Sequence, residues 1–129
     1  MDQKYHSIFS HFLNDIKKDR ILHELSLNKK RENAFSKMTI FSNCFFVENI
    51  AHNLTHLEDS DALQIISNNV KEKYCYDLRH DEVLSIKDAY IRAVNSYMVN
   101  VLIVNENTII YVGECSYGAS EKYILKKRS

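Results

Sequence analysis

The 129-residue chain contains no proline, no tryptophan and only two glycines. Average usage would give roughly six Pro and nine Gly at this length. Phosphate-binding loops, dinucleotide fingerprints and nucleophile elbows each need closely spaced glycines, because only a residue without Cβ lets the backbone turn that sharply or approach a phosphate. Gly113 and Gly118 stand alone near the C-terminus, so none of these motifs is present. They also make residues 113–118 the one stretch of permissive backbone. Without proline there is no polyproline ligand and no proline kink, and the helices are expected to run long and unbroken.

An excess of charge is missing too. Seventeen Lys plus Arg balance seventeen Asp plus Glu, so no overall field draws the chain to nucleic acid or an anionic membrane. The basic triplets Lys29-Lys30-Arg31 and Lys126-Lys127-Arg128 are short, of the size usual in solvated loops and tails. Residues 37–70 are the most lopsided segment, with one positive charge against Glu48, Glu58, Asp59 and Asp61. Cys44, Cys75 and Cys115 are odd in number and far apart, without a C-x-x-C pair, which argues against a disulfide framework or zinc knuckle and for a reducing compartment. No apolar run is long enough for a signal peptide or membrane span. The expectation is a cytoplasmic protein without a cofactor, one domain over residues 1–129.

What is abundant is Asn, Ile, Lys, Tyr and Phe, residues with AT-rich codons, as in many bacterial and mobile-element genes. Hydrophobic residues make up 45% of the chain and charged residues 26%, a balance that supports a packed core. Tyr5, Ile8, Phe9, Phe12, Leu13 and Ile16 recur at helical spacing, and the stripe continues through Ile21, Leu22 and Leu25. Phe41, Cys44, Phe45, Val47, Ile50, Leu54 and Leu57 predict a second helix, although Met38 to Val47 could begin as a strand. Glu58 to Asp61 reads as the start of a third helix reaching Tyr74. Asp81 is expected to cap a fourth, through Val83, Ile86, Tyr90, Ile91, Val94 and Tyr97. Val101 to Val104, a turn at Asn105 to Asn107, and Thr108 to Val112 form a hairpin, and Glu121 to Lys126 a third strand on the edge. The fold class is α+β: about four helices in the N-terminal two-thirds packed on one face of a small C-terminal antiparallel sheet.

Chemistry-bearing residues are sparse. On the expected second helix, His52 and His56 stand four apart, a spacing that lets two imidazoles share a metal, and His80 could add a ligand. The His80-Asp81 dipeptide arises readily by chance at this His and Asp content. Cys115, between the two glycines, could act as a nucleophile only with a histidine beside it. The seven tyrosines Tyr74, Tyr76, Tyr90, Tyr97, Tyr111, Tyr117 and Tyr123 exceed what a small core can bury with satisfied hydroxyls, so some should lie at an interface.

A binding protein needs only surface, whereas an enzyme needs converging titratable groups. The expected function is therefore a protein-binding inhibitor, of the immunity type that neutralises a cognate bacterial toxin. Its protein-binding residues would be Glu48, Glu58, Asp59 and Asp61 against a basic partner such as a nuclease, with Tyr117 and Tyr123 and edge pairing by the last strand. The alternatives are a metal-dependent or thiol hydrolase using His52, His56 and His80 or Cys115, and a nucleic-acid-binding regulator using Lys29 to Arg31.

Overall fold

The computed structural model describes residues 2–115 and 120–127. Its centre is a six-stranded antiparallel sheet in the order β1-β6-β5-β4-β2-β3. The strands are β1 (Ile50–Asn53), β2 (Tyr74–Asp77), β3 (Glu82–Ser85), β4 (Asn100–Asn105), β5 (Thr108–Val112) and β6 (Lys122–Lys126). The α+β class holds, but the sheet is larger than expected and its strands are spread through the chain.

Helices cover both faces of this sheet. On one side lie α1 (Gln3–Ser10), α2 (Lys18–Leu25), α3 (Arg31–Lys37) and α4 (Phe41–Cys44), which pack Phe9, Ile21, Leu25 and Phe35 against Tyr76, Val101, Ile103, Ile109, Tyr111 and Leu125. On the other, α5 (Asp59–Asn69) and α6 (Ile86–Ser96) set Ile66, Ala89, Tyr90 and Ala93 against Cys75, Leu102, Val104, Ile110 and Ile124. β5 is buried along its whole length and β4 along all but its last residue. The unbroken apolar runs Val101 to Val104 and Ile109 to Val112 have no polar side to turn to water, and strands of that pattern need cover on both faces. This corrects the one-faced arrangement.

Several expected elements differ. The first helix stops at Ser10, and the chain re-enters helix only at Lys18. Between them the side chain of Asn14 accepts from the Lys17 N–H at 3.1 Å and donates to the Asn43 carbonyl at 2.7 Å, a local alternative to the helical ladder. No described helix exceeds 11 residues, so the lack of proline did not lengthen them. The second predicted helix is resolved into α3, α4, a 3₁₀ turn at Val47–Asn49 and strand β1. There Phe41, Cys44, Phe45 and Leu54 still reach the core while Val47 is exposed, and pairing of Ile50 with Leu125 and Asn53 with Tyr123 draws the backbone into the sheet. The third helix ends at Asn69, and Tyr74 belongs to β2.

The fourth helix starts later than expected. Asp81 does not cap it; it lies in the turn between β2 and β3 with φ of 53°. Ser85 is the cap, its hydroxyl accepting from the Asp88 N–H at 3.1 Å. The hairpin β4–β5 is as expected, and β6 is a strand but not an edge: it pairs with β5 on one side and β1 on the other. The true edges are β1 and β3. Strands β3 and β4 run parallel on either side of β2, and α6 makes the crossover between them. With glycine so scarce, Asp81 and Tyr97 take the left-handed backbone positions, Tyr97 ending α6 where Gly is usual. Among the described residues no helix is long and apolar enough to cross a membrane.

Candidate functional site at the outer hairpin

Polar side chains converge at the turn end of the β2–β3 hairpin. Asp77, the last residue of β2, is fully buried. Its Oδ1 accepts from Asn100 Nδ2 at 2.9 Å and from the His80 backbone N–H at 3.0 Å. Its Oδ2 lies 2.7 Å from Arg92 Nη2 on α6 and 3.0 Å from His80 Nδ1. Burial alone would raise this carboxyl, but the hydrogen bonds from Asn100, Arg92 and His80 outweigh it and hold the pKa below the usual carboxylate value. Asp77 therefore stays ionised inside the protein, with its oxygens saturated.

The turn above is fastened just as firmly. The guanidinium of Arg79 donates from Nε to the Val99 carbonyl at 2.8 Å, and from Nη1 to both oxygens of Glu32 at 2.7 Å. It also stacks 4.2 Å from the Phe35 ring centre. Asn100 Oδ1 accepts from the Arg79 N–H at 3.0 Å, Arg31 donates to the Leu78 carbonyl, and Arg92 also binds Glu82. The Tyr76 hydroxyl donates to Asp81, and burial together with that carboxylate raises its pKa. One buried acid thus ties β2, the turn, α6 and the start of β4 together, while α3 clamps the turn from the opposite face.

His80 held by a buried carboxylate has the arrangement of a general base. Among the described residues no serine, threonine, cysteine or tyrosine side chain is hydrogen-bonded to it, and His80 serves here as an anchor of the turn. Nor does the rest of the alternative histidine set assemble. His52 lies on β1 and bonds Asn69 at 3.0 Å, and His56 is in the following turn, so the helical spacing does not exist. No group of three or more His, Cys, Asp or Glu among the described residues is placed to hold a metal. Cys115 is half-buried and its N–H donates to the Tyr97 carbonyl at 3.2 Å; Cys44 and Cys75 are buried, which pushes both thiols up, Cys75 to about 12.

The acidic residues fall into two groups. Glu58, Asp59 and Asp61 crowd the N-terminal turn of α5, where Asp59 and Asp61 complement the helix dipole. Glu48 lies in the 3₁₀ turn before β1, in a shallow cavity shared with His11 and Lys127, beyond the other end of the β1–β6 ladder. Tyr123 is half-buried on β6, its ring edge-on to Phe41 at 4.8 Å and its hydroxyl donating to Glu121 at 2.9 Å. Tyr117 lies outside the described residues. Of the basic triplets, Arg31 is engaged as above and Lys126 Nζ donates to the Asn69 carbonyl at 3.0 Å, closing the end of α5.

The β2–β3 hairpin also carries large exposed apolar side chains. Tyr74 is 63% exposed and Val83 57%, both on the hairpin. They share a face with Tyr76, since Tyr76 pairs with Val83 and Tyr74 lies two residues away. Tyr5 of α1 stacks on Tyr76 with ring centres 4.1 Å apart. β2 pairs with β4 only at Tyr76–Ile103 and Asp77–Leu102, and its first two residues leave a cleft of about 270 Å³ beneath α1. The alternation in Tyr74-Cys75-Tyr76 and the capping signal Ser85-x-x-Asp88 were the sequence marks of this hairpin. No protein-family model, curated protein or solved structure matches the chain.

Proposed function

We propose that the chain is a protein-binding inhibitor of the immunity type, which neutralises a cognate toxin by covering it with the outer hairpin. The observation that carries this reading is an exposed aromatic and aliphatic face, Tyr74 with Val83, on an edge hairpin whose turn end is fixed by buried Asp77. Binding is weakened by the entropy of ordering loops and side chains, and a hairpin already anchored at its turn has less left to order. Tyrosine contributes large contact area with few torsions. Edge strand β3 adds backbone groups that no described strand pairs on its outer side, available for strand addition. The acidic turn of α5 would supplement this surface against a basic toxin.

The test is co-expression with the protein of the adjacent reading frame. The chain should form a stoichiometric complex and protect cells from that protein's toxicity, and Tyr74→Ala with Val83→Lys should abolish both while circular dichroism stays unchanged. Absence of a stoichiometric complex together with absence of protection would contradict the proposal.

A further inference from the structure

The cleft beside the hairpin has a chemistry of its own. It is lined by Tyr5, Tyr74 and Tyr76 and by two acidic residues, Glu72 and Glu106, against one basic residue, Lys4, with Lys126 the other cation acting on Glu72. Glu72 accepts from Asn105 Nδ2 at 3.0 Å, and that bond, with backbone hydrogen bonds, lowers its pKa and keeps it ionised. Lys73, the nearest basic neighbour in sequence to the hairpin, lines a different groove, between α5 and α6. Aromatic faces with carboxylates at the mouth attract a cation through the ring quadrupole and through charge. The Lys4 ammonium lies 5.7 Å from the Tyr5 ring centre.

We infer that this cleft receives an arginine side chain of the partner protein, its guanidinium stacked on Tyr74 or Tyr5 and bonded to Glu106 and Glu72. This rests on the proposed inhibitory function and assigns the partner's chemistry: a basic surface segment laid along the hairpin, with one arginine inserted between β2 and β4. A guanidinium fits better than an ammonium because it is planar, less strongly hydrated, and able to stack and donate at once. Lys4 is the resident competitor, displaced toward solvent when the arginine enters.

The experiment uses the isotopically labelled chain and two blocked tripeptides, acetyl-Gly-Arg-Gly-amide and its citrulline isostere, followed by NMR. The arginine peptide should give saturable shifts at the Tyr5, Tyr74 and Tyr76 rings, and the uncharged isostere should bind about tenfold more weakly. Glu106→Gln combined with Glu72→Gln should weaken the arginine peptide by a similar factor, and Lys4→Ala should tighten it. Equal shifts from both peptides, shifts away from the cleft, or none at all would overturn the inference. If the chain protects against its toxin through Tyr74 and Val83 while the arginine peptide fails to bind, this inference falls and the function stands; a peptide that binds to a chain without protective activity leaves the reverse.

Discussion

The two edges of the sheet are closed off in opposite ways. At one, β1 is irregular: its pairing with β6 shifts between Ile50 and His52, and Ala51, His52 and Asn53 are exposed and small or polar. The apolar groups nearby, Phe46 and Val47, lie before the strand and not on it. A bulged, polar edge is a poor template for another chain. At the other, β3 pairs with β2 in unbroken register over four residues and presents Val83 beside Tyr74. It lacks proline, lysine and a bulge. One edge is blunted as edges usually are, and the other is left regular and apolar beside a deeply anchored turn, a difference that fits the proposed role of β3 and not β1 as the partner-binding edge.

Removing the anchor should have the largest effect. Asp77→Ala leaves Arg92 and His80 without their buried partner and should cost about 3 kcal/mol in urea unfolding. Hydrogen exchange should show β2 and β3 amides losing protection while β1 and β6 keep theirs; equal loss at both edges would mean the anchor serves the whole sheet.

Acid provides a graded version of the same change. A carboxyl whose folded pKa is depressed contributes stability above its unfolded pKa, about 3.9, and that contribution is lost as pH falls through the lower folded value. The hairpin should therefore loosen below about pH 4, ahead of the β1 edge, and Asp77→Asn should flatten that part of the stability profile measured by denaturant titration.

The smallest effect belongs to the blunted edge. His52→Ala removes one exposed hydrogen bond to Asn69 and should change stability by less than about 0.5 kcal/mol in the same unfolding experiment. A larger loss would show that β1 is held by more than its pairing with β6.

What the residues announced and what they hid follows from range. The β4–β5 hairpin was legible because its turn, its β-branched runs and its pairing are all local, and so were the α+β class and the start of α5. β1 was hidden because Ile50 pairs with Leu125 across most of the chain, and helical spacing upstream masked it. β2 was hidden because the third helical pattern seemed to reach Tyr74, and β3 because a helix pattern through Val83 and Ile86 looked continuous, although Ser85 and Asp88 mark the real start of α6. Tyr74 was rightly counted among tyrosines that a core could not all hold, and it is exposed, whereas Tyr90 and Tyr111 are fully buried. Asp77 gave no signal, since its partners Asn100 and Arg92 lie 23 and 15 residues away in sequence.

The claim at the centre is that the β3 edge, and not the β1 edge, meets the partner. Titration calorimetry of the proposed toxin partner against Val83→Lys and Ala51→Lys tests it most directly, because both substitutions place a charge on an exposed edge residue. Val83→Lys should weaken binding by about tenfold or more, with Ala51→Lys within about twofold of the unaltered chain. Loss of binding in Ala51→Lys with Val83→Lys unaffected would contradict the account.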